Sequence, residues 1–206
     1  MRDNEIATLF LDIGGVLLTN GWGHEARNNA MVHFNLDSEE INDRHHLAFN
    51  IYEEGKLTLE AYLKLVVFFE PRQFSQEDFI KFMFKQSSAY QETINFFKEI
   101  KKRYQLKIIA VSNEGRELNA FRIQKFKLNE LFDAYVSSSF VHLRKPDADI
   151  FRMAIDISQT EPKQSIYIDD RRMFVEIAQT LGLNGIHYQG LELAKKQLTT
   201  FGFSIE

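Results

Sequence analysis

The 206-residue sequence has no cysteine. That excludes disulfides, thiolate nucleophiles, and zinc or iron–sulfur sites built on cysteine. It has no basic block of five or more, and its net charge is -4, so it does not read as a nucleic-acid binder. The densest basic run, Lys101-Lys102-Arg103, reads as a solvated helix end. No apolar run is long enough to span a membrane. The polar start, Met1-Arg2-Asp3-Asn4-Glu5, leads into a short apolar segment interrupted by Asp12, which is neither a signal peptide nor a membrane span. The expectation is a soluble, cytoplasmic protein, monomer or homodimer. No internal repeat or low-complexity tract is visible. What is present is material for a core: 44% of residues are hydrophobic and 19 are phenylalanine, which suffices for one domain with a small insert.

The chain is organised around Ile6-Ala7-Thr8-Leu9-Phe10-Leu11-Asp12-Ile13-Gly14-Gly15. A short apolar run ending in a carboxylate reads as a buried parallel strand with Asp12 at its carboxyl end, where open α/β sheets bind ligands. The two glycines let backbone approach a ligand closely. Residues 20–88 then read as nearly all helix. Met31, Phe34 and Leu36 mark one amphipathic stretch, and Ile41, Leu47, Phe49 and Ile51 another. Thr58 caps a third helix, ended by Pro71, and Ser75 to Asp78 has the form of a capping box. The pair His45-His46 reads as a solvated face.

Strand and helix alternate afterwards. Strands are expected at 106–111, 134–136, 164–168 and 186–188. Helices are expected between them, with Pro146 in the first turn of one and Gly182 closing another. This pattern predicts an α/β fold: a Rossmann-like parallel sheet core with helices on both faces, plus an inserted helical cap. The core takes residues 1–19 and 89–206, and the cap 20–88.

Four polar sites follow four of these strands: Asp12, Ser112, Arg144-Lys145 and Asp169-Asp170. A parallel sheet brings its strand ends to one edge. Crowded carboxylates repel and are costly to desolvate; a divalent cation removes that cost, and an all-oxygen donor set suits Mg²⁺. A lysine and a Ser-Asn turn are what a phosphoryl group needs, a point charge with hydroxyl and backbone donors. The residues point to Mg²⁺-assisted attack on a phosphoryl group.

The pattern resembles the haloacid dehalogenase superfamily over essentially the whole chain. Asp12-Ile13-Gly14-Gly15-Val16-Leu17, Val111-Ser112-Asn113, Arg144-Lys145-Pro146-Asp147 and Ile166-Tyr167-Ile168-Asp169-Asp170 are similar to its four motifs, in order. Ala178-Gln179-Thr180-Leu181-Gly182 resembles a helix end of the family, and the insert resembles its small helical cap. The resemblance implies that Asp12 is a nucleophile forming an aspartyl-phosphate. It implies that Asp12, the Gly14 carbonyl and Asp170 bind Mg²⁺, with Asp169 supporting the metal directly or through water. Ser112 and the Asn113 backbone would hold phosphoryl oxygens, and Lys145 would offset their charge. Trp22, His24 and Arg27, where the chain leaves the core, are candidates for lining the substrate pocket.

Two positions depart from the family's common form. Most of its phosphatases carry a second aspartate, the proton donor, where this sequence has Gly14. Dehalogenases of the family lack it too, as does a subgroup of sugar-phosphate phosphatases that reads Asp-x-Gly. After Asp170 comes Arg171-Arg172-Met173-Phe174, where that subgroup often has an asparagine. Three readings stay open: a Mg²⁺-dependent phosphatase of a small, sugar-phosphate-like metabolite, a dehalogenase, and a catalytically weak binding protein. Retention of Asp169-Asp170 favours the first. His24, Glu114 and a metal-ordered water are the candidates to replace the missing acid.

Overall fold

The computed structural model describes residues 5–204; the polar lead at 1–4 lies outside them. Five strands form one parallel sheet in the order β3-β2-β1-β4-β5: β1 (Thr8–Leu11), β2 (Lys107–Ser112), β3 (Ala134–Ser137), β4 (Ser165–Asp169) and β5 (Asn184–His187). Alternate residues of each strand face opposite sides. Leu9, Leu11, Ile108, Ala110, Ile166 and Ile168 pack against α5 (Gln91–Tyr104) and α10 (Leu191–Thr199). Phe10, Ile109, Val111, Val136 and Tyr167 pack against α8 (Ala148–Ser158) and α9 (Arg172–Thr180). Both faces are covered, which is why the strands read as apolar runs rather than alternating ones.

Between β1 and α5 lie α1 (His24–His33), α2 (Ser38–Glu53), α3 (Leu59–Val66) and α4 (Gln76–Lys85). They enclose a cluster of their own, with Trp22, Tyr52, Tyr62, Phe79 and Met83 buried and Phe68, Phe74 and Phe82 packed against it. The chain leaves and rejoins the sheet through two adjacent segments, where Thr19 N–H donates to the Ser88 carbonyl at 2.9 Å and Tyr90 N–H to that of Leu17 at 2.9 Å. Thr58 and Ser75 cap α3 and α4 as expected, accepting from Ala61 N–H and Asp78 N–H at 3.1 Å each. The remaining helices are α6 (Arg116–Lys125) and the single turn α7 (Ser138–Val141).

Three expectations are corrected. Pro146 precedes α8 rather than sitting in its first turn; Asp147 is the cap, its carboxylate accepting from Asp149 N–H at 2.9 Å. In α2 the inward face is Ile41, His45, Ala48 and Tyr52, while Leu47 and Ile51 are exposed. The inward spacing is helical, but one position is filled by an imidazole, so the apolar pattern found only part of the face: Ile41 and Phe49 pack inward and Leu47 and Ile51 do not. His45 is therefore buried, not solvated. Its Nδ1 lies 2.7 Å from the Tyr62 hydroxyl and its ring packs on Phe49.

Burial, with Arg27 and His46 nearby, pushes the His45 pKa down from 6.5 to about 3. The unfolded chain takes up a proton below 6.5 that the folded protein refuses until about 3. This group therefore contributes stability above its unfolded pKa that is lost as pH falls toward the folded one. Melting temperatures of the parent and of His45→Gln, compared at pH 7 and pH 5, should show a smaller acid-side drop in the variant. Equal drops would remove His45 as a source of acid sensitivity.

Candidate active site

The carboxyl ends of β1, β2 and β4 present Asp12, Ser112 and Asp169 at one edge, and the loop before α8 lays Lys145 beneath them. Lys145 is 1% exposed and is held on several sides. Its Nζ lies 2.7 Å from Asp169 Oδ2 and 3.2 Å from Asp12 Oδ1, and it donates to the Val111 carbonyl at 2.9 Å and the Tyr167 hydroxyl at 3.1 Å. The loop that carries it is fixed by Asn113, whose side chain exchanges two 2.8 Å hydrogen bonds with the Lys145 backbone. Asn113 thus locks two of the site loops together through its amide.

Asp169 is engaged on both oxygens. Oδ2 meets Lys145 and the Tyr167 hydroxyl, and Oδ1 accepts from Arg171 N–H at 2.7 Å. Asp170 Oδ1, by contrast, is buried with no hydrogen-bond partner among the described residues. One oxygen from each of Asp12, Asp169 and Asp170 lies within 4.8 Å of the other two. Burial raises the Asp12 pKa to about 7; Lys145 and the Ile13 N–H pull it down, while Asp169 and Asp170 push it up. Burial lowers Lys145, but Asp12 and Asp169 outweigh it, so the ammonium is held charged. One ammonium among three carboxylates leaves excess negative charge, and an all-oxygen cluster with an unused oxygen suits a hard divalent cation.

The two glycines after Asp12 each make room for something specific. Gly15 has φ +73°, and a Cβ there would sit 2.1 Å from Asp170 Oδ2. At Gly14 a Cβ would lie 2.9 Å from Asn20 Oδ1. Asn20 thus fills the space beside position 14. It also lies against Asp170, where its amide favours the charged carboxylate against the upward pull of burial and Asp169.

A cavity of about 370 Å³ opens above Asp12, Ser112 and Lys145. Trp22, His24 and Arg27 from the helical insert line it, as expected from the sequence. Trp22 is buried and donates from Nε1 to the Tyr62 hydroxyl at 3.0 Å, whereas His24 is exposed at the mouth. Sequence reasoning missed Asn20, Tyr52, Glu53 and Arg171, which also line it. None carries a local signal. Tyr52 and Glu53 sit at the end of α2 and arrive only when the insert packs down, where Glu53 pairs with Arg144 and accepts its Nε–H at 3.1 Å. Tyr167 did have a signal: it lies two residues before Asp169 on one strand, hence on the same face.

The family model for haloacid dehalogenase-like hydrolases matches residues 6–182. The chain belongs to this family. The haloacid dehalogenase family enzyme of Bacteroides thetaiotaomicron superposes with a TM-score of 0.80 at 19% identity, covering 94% of this chain and 98% of that one. The same enzyme in complex with magnesium and inorganic phosphate gives 0.73 at 19%, covering 88% and 93%. The L-2-haloacid dehalogenase of Xanthobacter autotrophicus, with chloropropionic acid covalently bound, gives 0.62 at 13%, covering 95% and 83%. At these identities the likeness is one of fold. It supports the parallel α/β core that a haloacid dehalogenase-like hydrolase is expected to have. No helix among the described residues is long and apolar enough to cross a membrane.

Proposed function

We propose that this hydrolase is a Mg²⁺-dependent phosphatase of a small phosphorylated metabolite, acting through an aspartyl-phosphate on Asp12. The observation that carries the reading is the charge balance at the sheet edge: three carboxylates, one buried ammonium, and Asp170 Oδ1 without a partner among the described residues. A dehalogenase attacks carbon and needs no metal, so such a cluster would be a cost without a return.

In this reading Asp12, Asp170 and the Gly14 carbonyl hold Mg²⁺, with Asp169 behind them. When bound, the metal neutralises charge on the phosphoryl oxygens. Asp12 Oδ1 is fixed by the Ile13 N–H at 2.8 Å and by Lys145, which holds the carboxylate in place for attack. Ser112 and the Asn113 backbone hold the transferred group, and Lys145 offsets the charge gathered around Asp12. The attack breaks the P–O bond to the alcohol, which leaves and takes a proton from water; a second water then cleaves the acyl-phosphate, releasing inorganic phosphate and restoring the Asp12 carboxylate. Residues 20–88 serve as a lid over the core formed by 1–19 and 89–206, with Trp22 and His24 facing the substrate. Hydrogen exchange across 20–88 should slow with a phosphate analogue and Mg²⁺ bound; unchanged exchange there would make the lid fixed.

Phosphate release from a panel of sugar, nucleoside and aryl phosphates tests the main reading. Activity should require Mg²⁺ and vanish in excess chelator, and Asp170→Ala should remove the Mg²⁺ response. Undiminished turnover in chelator, or halide release from a 2-haloacid, would instead favour the dehalogenase.

A further inference from the structure

Among the residues lining the cavity, two buried oxygens, one on Glu114 and one on Tyr52, have no hydrogen-bond partner among the described residues. Glu114, 6% exposed, is the residue after Ser112-Asn113. Its Oε1 accepts from Arg122 Nη1, and Arg122, 1% exposed, also donates from Nη2 to the Thr19 carbonyl at 2.6 Å. Glu114 Oε2 has no hydrogen-bond partner among the described residues. Neither has the hydroxyl of Tyr52, which is 1% exposed.

These groups are rigidly placed. The Tyr52 ring stacks on Tyr62, with centroids 4.8 Å apart and planes 16° apart. Its hydroxyl lies against Gly115, where a Cβ would sit 2.4 Å from the oxygen; only glycine admits the ring so close to the Glu114 backbone. Gly21 closes the other side, since a Cβ there would meet Arg122 Nη1 and Glu114 Oε1 at 2.7 Å each. Both side chains line the cavity over Asp12.

A buried carboxylate oxygen and a buried phenol without partners each cost stability. Burial pushes the Glu114 pKa up, and the buried Arg122 guanidinium bonded to Oε1 opposes that rise and favours the carboxylate, an acceptor at Oε2. Burial, with Glu117 and Glu114 nearby, raises the Tyr52 pKa and keeps the phenol a donor. An alcohol hydroxyl satisfies both at once, giving its proton to one and accepting from the other. An ammonium could donate to both oxygens but would leave the phenol proton unused, and Arg27, Arg144 and Arg171 line the same cavity and repel it.

We propose that Glu114 Oε2 and the Tyr52 hydroxyl together read a free hydroxyl on the leaving alcohol of the substrate. This rests on the phosphatase reading for what the alcohol is attached to. The pair sets specificity: an ester without the hydroxyl would leave both groups unpaired.

The test uses two matched pairs of probes, glycerol 3-phosphate with propyl phosphate and glucose 6-phosphate with cyclohexylmethyl phosphate. Binding is measured calorimetrically on the Asp12→Asn protein with Mg²⁺, and turnover on the parent. In at least one pair the hydroxylated ester should bind at least about 10-fold tighter. Added Tyr52→Phe should narrow that ratio about 2- to 10-fold and Glu114→Gln about 10- to 100-fold, as loss of a neutral and a charged hydrogen bond implies. Tyr52→Phe removes a buried hydroxyl that has no partner among the described residues, so its melting temperature should not fall, and it keeps the test valid if Glu114→Gln is unstable. No preference in either pair, or ratios untouched by Tyr52→Phe, would overturn the inference. So would Glu114→Gln slowing both members of a pair equally, which marks proton donation instead. If the binding ratios behave as expected while the parent hydrolyses none of the esters, the phosphatase reading falls and the hydroxyl subsite stands.

Discussion

Asp12→Asn should abolish phosphate release, by about 10⁴-fold or more, as removal of a nucleophile does in other covalent catalysts. An amide of nearly the same shape does not attack phosphorus. The fold should persist, because Lys145 keeps Asp169 at 2.7 Å and its bond to the Val111 carbonyl. The variant even removes one of three crowded carboxylates. Its urea midpoint without metal should therefore equal or exceed that of the parent. Substantial phosphate release by the purified variant, with no mass shift of Asp12 on trapping the parent with substrate, would end the nucleophile assignment.

Lys145→Met keeps most of the stem's volume and deletes the charge. Asp12 and Asp169 then face each other in a buried site without their ammonium. Breaking a buried pair in this way costs about 3–5 kcal/mol. Urea unfolding without metal should show a loss of that size, together with loss of turnover. The loss should be greater at pH 8 than at pH 6. Asp12 is already raised to about 7 with Lys145 present, and the variant raises it further. A carboxyl with a raised folded pKa is least costly when protonated, so its penalty grows as pH rises through that value. Mg²⁺ should recover part of the lost stability. A change under about 1 kcal/mol, within the range of ordinary surface substitutions, would mean that Lys145 is not the counter-charge of this cluster.

The same residues show how far the sequence reaches. The strand ends were legible because apolar runs stopping at Asp12, Ser112 and Asp169 leave few topologies once strands alternate with helices. The parallel sheet followed, and with it the meeting of those residues at one edge. The helical character of 20–88 and its capping residues Thr58 and Ser75 followed from local hydrogen-bond chemistry. The inward face of α2 did not follow. Its buried positions include His45, whose polarity is satisfied by Tyr62, a residue 17 positions away. No apolar pattern contains that information.

The sequence by itself determined the α/β core, the nucleophile candidate and the set of groups around it, because each depends on spacing within one strand and the turn after it. Only the tertiary structure decided which groups are spent and which are free. Asp169 is used on both oxygens while Asp170 keeps one, Asn20 fills the room beside Gly14, and Glu114 is tied on one side to Arg122. Those outcomes depend on distances between segments far apart in the chain. Tyr52 and Glu53 reach the cavity from the far end of α2, and Arg122 from a helix 103 residues beyond its Thr19 partner. Burial then turns the geometry into chemistry, since a polar atom without a partner costs little in water and much inside the protein.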